Sequence, residues 1–203
     1  MTVRAGKIIC SGLNYKDTIL EEGAKFPVKP LLFLKPDTAV IGDGEEIVRP
    51  EGINQLAIEA ELAVVIGKTG KNIPEEAAWD YVRGFRAAND VTAQDAQKED
   101  IQWTRAKSYD TFLPLSEETA IETPLSKLEI YSYINGTMVQ KGNIEDLIFD
   151  IPYLIGYISR IMTLEEGDII LTGTPGGYGK RVKPGDEVTV EIPGIGKITN
   201  RVV

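Results

Sequence analysis

The side chains of this sequence best suited to chemistry are carboxylates. Its 203 residues include no histidine and one cysteine, with 31 Asp and Glu against 22 Lys and Arg. Without an imidazole, one chain can build no Ser-His-Asp triad, no Cys-His pair and no His-ligated zinc. A general base must then be a carboxylate, lysine, tyrosine or cysteine, or a metal-bound hydroxide. Glu59-Ala60-Glu61 is the leading candidate. Residues two apart on a strand project to one face, which places both carboxylates together, roughly 7 Å apart at the backbone. A solvated strand end is the plain alternative, but the same face continues into Ala63 and Val65 and therefore borders the core. Like charges there repel unless a proton or a cation intervenes. Asn89-Asp90-Val91-Thr92 adds a third carboxylate where a strand gives way to a helix, with Thr92 and Asp95 reading as a cap and its N3 partner. Three carboxylates with open water positions suit Mg²⁺ or Mn²⁺ rather than zinc.

Other segments are weaker. Gly173-Thr174-Pro175-Gly176-Gly177-Tyr178-Gly179-Lys180 invites comparison with a phosphate loop, but Thr174 and Arg181 occupy required positions and a strand follows where a helix should. It reads as a sharp loop with several positive-φ residues, able to offer backbone N–H groups and the Thr174 hydroxyl to an anion. By composition, Arg105 and Lys107 are solvated, and Cys10, inside an apolar strand, belongs to the core.

The elements around these residues are mostly short strands. Residues 7–11, 31–34, 57–67, 84–88 and 169–172 read as strands, with 57–67 buried on both faces in its second half. Asn135-Gly136 closes a hairpin between 129–134 and 137–140, and a second hairpin joins 187–192 to 197–202. Helices are expected at 17–22, ended by Gly23, at 74–83 and 152–162, each started by a proline, and from Thr92. The expected fold is α+β and β-rich, a mixed sheet rolled or sandwiched with peripheral helices, as one domain over residues 1–203. A net charge of −9 argues against nucleic-acid and anionic-membrane surfaces. No apolar run approaches the roughly 18 residues of a membrane span. Residues 1–7 lack a signal-peptide core, and a lone cysteine forms no internal disulfide, so the cytoplasm is the expected location.

Together these segments resemble the fumarylacetoacetate hydrolase family, specifically its catalytic domain. The resemblance is carried by Gly12-Leu13-Asn14-Tyr15-Lys16-Asp17, Leu32-Phe33-Leu34-Lys35-Pro36, the strand opened by Glu59-Ala60-Glu61, Asn89-Asp90-Val91-Thr92-Ala93-Gln94-Asp95, residues 102–115 and Leu171-Thr172-Gly173-Thr174-Pro175. It implies the family's β-roll, a homodimer, and Mg²⁺ or Mn²⁺ (or Ca²⁺ in its place) held by Glu59, Glu61 and Asp90. It also implies that Asn14, Tyr15, Gln94, Arg105, Lys107 and Thr174 bind a small 2-oxo or dicarboxylic acid, with Glu21 and Lys107 catalytic. The implied chemistry is isomerisation, tautomerisation or decarboxylation through a metal-stabilised enolate. The alternatives are C–C hydrolysis of acylpyruvates and binding of a metabolite without turnover. Two departures bear on the choice. Hydrolytic relatives place a histidine at position 18 and a glutamate three residues on; here these are Thr18 and Glu21. Relatives often carry arginine where this chain has Gln94, and Arg105 is the expected substitute charge.

Overall fold

The computed structural model describes residues 6–120 and 125–203; residues 1–5, within the stretch read above for a signal peptide, lie outside it. The first half runs β1 (Ile8–Gly12), α1 (Lys16–Glu22), β2 (Leu31–Lys35), β3 (Val40–Ile41), β4 (Glu46–Ile47), β5 (Leu56–Ile58), β6 (Ala60–Ile66) and β7 (Val82–Asn89). Then come β8 (Thr92–Ala93), α2 (Gln94–Glu99), α3 (Thr104–Lys107), β9 (Leu113–Pro114), β10 (Glu129–Ile134) and β11 (Thr137–Asn143). The last elements are α4 (Ile151–Ile161), β12 (Ile169–Leu171), β13 (Lys180–Val182), β14 (Glu187–Ile192) and β15 (Gly196–Val202).

Two five-stranded sheets, β2-β1-β12-β6-β7 and β11-β10-β14-β15-β4, make the body of the fold. A three-stranded sheet, β13-β5-β8, and the pair β3-β9 complete it. The architecture is α+β and β-rich. The first sheet is mixed, with β1 and β12 parallel and β12 antiparallel to β6. Strand β6 is buried along its whole length. Leu62, Val64 and Ile66 face the main core with Ile130, Val190, Ile198 and the inner face of α4, while Ala63 joins a separate cluster with Ile8, Cys10 and Leu171. This is why it lacks the alternation of a one-sided strand. Helix α4 begins where the Asp150 carboxylate accepts the Tyr153 amide, with Pro152 in the first turn. Asn135 and Gly136 both take positive φ, 49° and 76°, as a two-residue hairpin of this type requires.

Three expectations are corrected. Residues 57–67 are not one strand: the chain breaks at Glu59, with β5 paired to β8 and β13 and β6 to β12 and β7. The proline-started segment 74–83 is a run of 3₁₀ turns over Glu75–Tyr81, and Arg83 belongs to β7. Thr92 caps no helix. It pairs in β8, α2 starts after Ala93 without a side-chain cap, and the Asp95 carboxylate instead accepts the amides of Asn54 and Gln55.

Candidate metal centre

The break at Glu59 assembles the acidic site. In the β6–β7 ladder Ala60 pairs with Asn89 and Glu61 with Ala88, so Glu59 and Asp90 fall side by side where the ladder ends. The Asp90 amide donates to the Glu59 carbonyl at 2.8 Å. Leaving the sheet would orphan two amides, and side chains satisfy both: Asn89 Oδ1 accepts from Glu59 N and Gln140 Oε1 from Ala60 N, each at 3.1 Å. One oxygen each from Glu59, Glu61 and Asp90 thereby comes within 4.8 Å of the others, and all three residues are buried.

Two buried lysines enter this cluster. Lys107, at the end of α3, donates to Glu59 Oε2 at 2.8 Å and Asp90 Oδ2 at 2.6 Å. Lys35, at the end of β2, reaches Asp90 Oδ1 at 2.6 Å and the Val91 carbonyl at 3.3 Å. Thr92 Oγ1 donates to Glu59 Oε1, and the Gly173 amide to Glu61 Oε2 at 2.7 Å. Burial alone would raise the Asp90 carboxyl, but Lys107 and Lys35 hold it below the usual carboxylate range. Burial would lower Lys107, yet Asp90 and Glu59 lift it above the usual lysine range. Glu59 is raised, burial outweighing Lys107. Glu61 is raised well above the usual carboxylate range, by burial and then by the charges of Asp90 and Glu59. Three carboxylates against two ammonium groups leave one buried carboxylate without a counter-charge, to be balanced by a proton or a cation, and every ligand atom the cluster offers is a carboxylate oxygen. That donor set fits a hard divalent cation.

The cluster forms the floor of a cavity of about 330 Å³. Lys107, Gln94, Thr174 and Thr18 also line it, as do Trp103 and Phe33, packed edge to face with ring centroids 5.4 Å apart. One wall is the glycine loop. Gly173 has φ 103°, and a Cβ there would stand 2.9 Å from the Asn14 side chain and 3.1 Å from the Ser11 carbonyl. Only glycine combines that backbone conformation with that approach. Helix α1 clasps the loop from the other side: Thr18 Oγ1 donates to the Thr174 carbonyl, Asp17 accepts the Gly176 amide and Glu21 the Gly177 amide. The Thr174 hydroxyl accepts from Gln140 Nε2.

Of the residues singled out in the sequence, Glu59, Glu61, Asp90, Lys107, Gln94 and Thr174 share this cavity, and four others do not line it. Asn14 spends its amide on the Phe149 and Thr172 carbonyls and accepts the Phe149 amide, so it ties three segments together. Tyr15 is fully buried in the main core. Glu21 braces the glycine loop, whereas Glu22, hydrogen-bonded to Tyr178, lines the cavity. Arg105 forms a two-armed pair with Asp100 and reaches Glu99, outside the cavity. Lys107 is buried, against the compositional expectation of a solvated side chain. Lys35, Glu22 and Tyr178 were not among the expected site residues, although Lys35 lies in a segment that carries the resemblance and Tyr178 in the glycine segment. A lone lysine closing the apolar run Leu31-Leu32-Phe33-Leu34 was the available signal for the first, and the other two have none of their own.

Residues 7–203 match the family of the fumarylacetoacetate (FAA) hydrolase C-terminal domain. The chain belongs to this family. It is 43% identical over 202 residues to the human mitochondrial oxaloacetate tautomerase FAHD1, covering 96% of this chain and 90% of that protein. Among solved structures, the 2-hydroxyhepta-2,4-diene-1,7-dioate isomerase of Mycobacterium marinum is 39% identical with a TM-score of 0.90, over 98% of this chain and 75% of that one. The fumarylpyruvate hydrolase of Pseudomonas aeruginosa, solved in complex with Mn²⁺ and pyruvate, is 29% identical with a TM-score of 0.88, over 98% and 90%. The family thus spans tautomerase, isomerase and hydrolase on one scaffold. No described helix is long and apolar enough to cross a membrane.

Proposed function

We propose that this chain is a metal-dependent enzyme that interconverts the keto and enol forms of a small 2-oxo dicarboxylic acid of the oxaloacetate type. Mg²⁺ or Mn²⁺ is the proposed ion, with Ca²⁺ as an oxygen-liganded alternative, on Glu59, Glu61 and Asp90. A divalent cation on that donor set would supply Lewis-acid stabilisation of the negative charge that develops as a 2-oxo acid enolises. The observation that carries the choice of reaction is Thr18. It is buried on the cavity wall with its hydroxyl committed to the Thr174 carbonyl, and a threonine hydroxyl cannot activate water near neutral pH. C–C hydrolysis needs such a base; enolisation needs an electrostatic clamp and a modest proton carrier.

The side chains divide that work. The Lys107 ammonium lies against the acidic cluster and adds positive charge beside the oxo-acid head. Thr174 and the loop amides close one side, and Trp103 and Phe33 exclude water from the other. Glu22, on the cavity wall with Tyr178, takes the C3 proton in one direction and returns it in the other. Glu21 holds the loop that Thr174 stands on. The likeness to a fumarylpyruvate hydrolase supports acylpyruvate cleavage as the second reading, with Glu21 or a metal-bound hydroxide as base. The half-buried aromatic row of Phe149, just before α4, and Tyr153 and Tyr157 on it supports a homodimer, tested by light scattering for twice 22.3 kDa.

The deciding experiment follows oxaloacetate enol–keto equilibration, oxaloacetate decarboxylation and acylpyruvate cleavage with Mg²⁺, with Mn²⁺ and with chelator. Metal-dependent tautomerisation faster than either bond-breaking reaction supports the proposal. Faster acylpyruvate cleavage favours the second reading, and saturable binding with no turnover of any substrate makes the chain a metabolite-binding member.

A further inference from the structure

One cation on the cavity wall and a second just outside the lining stand together without counter-ions among the described residues. Lys98, which lines the cavity, donates to Gln55 Oε1 at 3.0 Å, and Arg181 donates to the same oxygen at 2.7 Å. Two charged nitrogens thus converge on one neutral acceptor, within about 6 Å of each other. Neither makes an ion pair within 4.0 Å among the described residues. Asp95, on the same helical turn as Lys98, is committed to the backbone amides of Asn54 and Gln55. Gln94 bridges the pair to the cavity wall: its Oε1 accepts from Arg181 Nε at 3.4 Å and its Nε2 donates to the Gly179 carbonyl.

The three-stranded sheet explains the placement. Arg181 on β13 pairs with Ala57 on β5, and Leu56 with Ala93 on β8, next to Gln94. Ala57 lies two residues before Glu59, so the Arg181 position is roughly 7 Å along the strand from the acidic floor. Of the two cations among the described residues that line the cavity, Lys107 is consumed by Glu59 and Asp90, and Lys98 has only the neutral Gln55 as partner and can receive an incoming anion. Paired cations sharing one neutral acceptor are primed for a carboxylate, which a guanidinium can grip with two parallel bonds.

We propose that Lys98 and Arg181, gathered by Gln55 and Gln94, bind the distal carboxylate of the diacid and set the preference for dicarboxylic over monocarboxylic 2-oxo acids. This rests on the oxo-acid reading above but assigns a different part of the substrate. Trp103 on the cavity wall supplies a binding signal independent of turnover. Its fluorescence quenching, in the Mn²⁺-loaded protein within seconds of mixing, reports affinity for oxaloacetate and for 2-oxobutyrate, which has a methyl group in place of the distal carboxylate. The native chain is expected to prefer the diacid by about 10–100-fold. In Lys98→Gln/Arg181→Gln that ratio falls towards one through loss of oxaloacetate affinity; KM rises more than kcat falls, and Arg181→Lys recovers part of the preference. Both positions are exposed, so the melting temperature stays within a degree or two. A native ratio near one, a ratio that survives the double substitution, or no quenching by either acid overturns the inference. Failure of the tautomerase proposal looks different: diacid-selective quenching without accelerated enol–keto exchange.

Discussion

Glu61→Gln tests the cation site, because such a site predicts opposite signs for the stability of the metal-free protein and for its response to metal. The native cluster holds three buried carboxylates against Lys35 and Lys107, and Glu61 has only the Gly173 amide as a hydrogen-bond partner among the described residues. A carboxamide keeps that bond and removes the unbalanced charge, and with it the repulsion from the Glu59 and Asp90 oxygens within 4.8 Å. Metal-free Glu61→Gln should therefore melt at the native temperature or above it. The metal response should move the other way. An ion at a hundred times its Kd stabilises the native state by about 2.7 kcal/mol. For a chain of this size that corresponds to a rise of roughly 5–11 °C. A hundredfold loss of affinity at the same concentration leaves about 0.4 kcal/mol, or about 1–2 °C. Glu59→Gln is the contrasting control, since it removes an acceptor of Lys107 and should lower the metal-free protein by about 1–3 kcal/mol. Calorimetric melting of chelator-treated protein, with and without Mn²⁺, reads all three. A Glu61→Gln protein that melts several degrees low without metal, or keeps the full metal response, refutes the charge count.

Three further outcomes are expected. Thr18→His exchanges the hydroxyl on the cavity wall for an orientable imidazole and should raise acylpyruvate cleavage by about 10–100-fold, with a smaller effect on enol–keto exchange; a folded, metal-loaded variant with unchanged cleavage would show that position 18 cannot serve as a base site. Gly173→Ala forces a side chain into φ 103° and against Asn14 and Ser11, at a cost of about 2–4 kcal/mol in denaturant melts, with Thr174 displaced and activity lost; native stability would mean the loop relaxes freely. Burial would raise the Asp95 carboxyl, but the amides of Asn54 and Gln55 overcome it and hold the group below the usual range. Its stabilisation is complete above the unfolded value near 3.9 and is lost as pH falls through the lower folded value. Asp95→Asn should thus cost about 1–2 kcal/mol at pH 6 and little at pH 2 in denaturant titrations, and an equal cost at both would exclude the carboxylate as the cause.

What could be read along the chain depended on how local its cause was. The Asn135-Gly136 hairpin, the Pro152 helix and the doubly buried half of 57–67 are set by nearest neighbours and periodicity, and each is found with small shifts of boundary. The break at Glu59 was hidden because no glycine, proline or other turn residue marks it in Ala57-Ile58-Glu59-Ala60-Glu61. The bend comes from Asn89 and Gln140, 30 and 80 residues away, taking over the two amides. Thr92 and Asp95 carry a capping pattern, but their side chains found stronger partners in Glu59 and in the amides of Asn54 and Gln55. Local hydrogen-bonding preference lost to tertiary alternatives.

The same reasoning explains why residue type and spacing pointed to the carboxylates, whereas Lys107 was expected in the site only through the family resemblance and Lys35 was not expected there. Acidic residues beside an apolar strand announce an unresolved charge problem wherever they lie, so Glu59, Glu61 and Asp90 could be grouped before any contact was known. A lysine carries a weaker sign, as at the end of the apolar run 31–34, because its long stem suits exposure by default. Lys107 and Lys35 are buried only because Asp90 lies across the fold, 17 and 55 residues away in sequence, and Glu59 lies 48 residues from Lys107. Arg105, two residues from Lys107 and chemically better suited to a carboxylate, turns instead to Asp100 within its own loop. The short α3 presents positions 105 and 107 to different surroundings, and its register decides which cation reaches the floor. Shifting that register should therefore damage the site more than replacing Arg105 alone, since Asp90 would lose one of the two ammonium groups that hold it ionised.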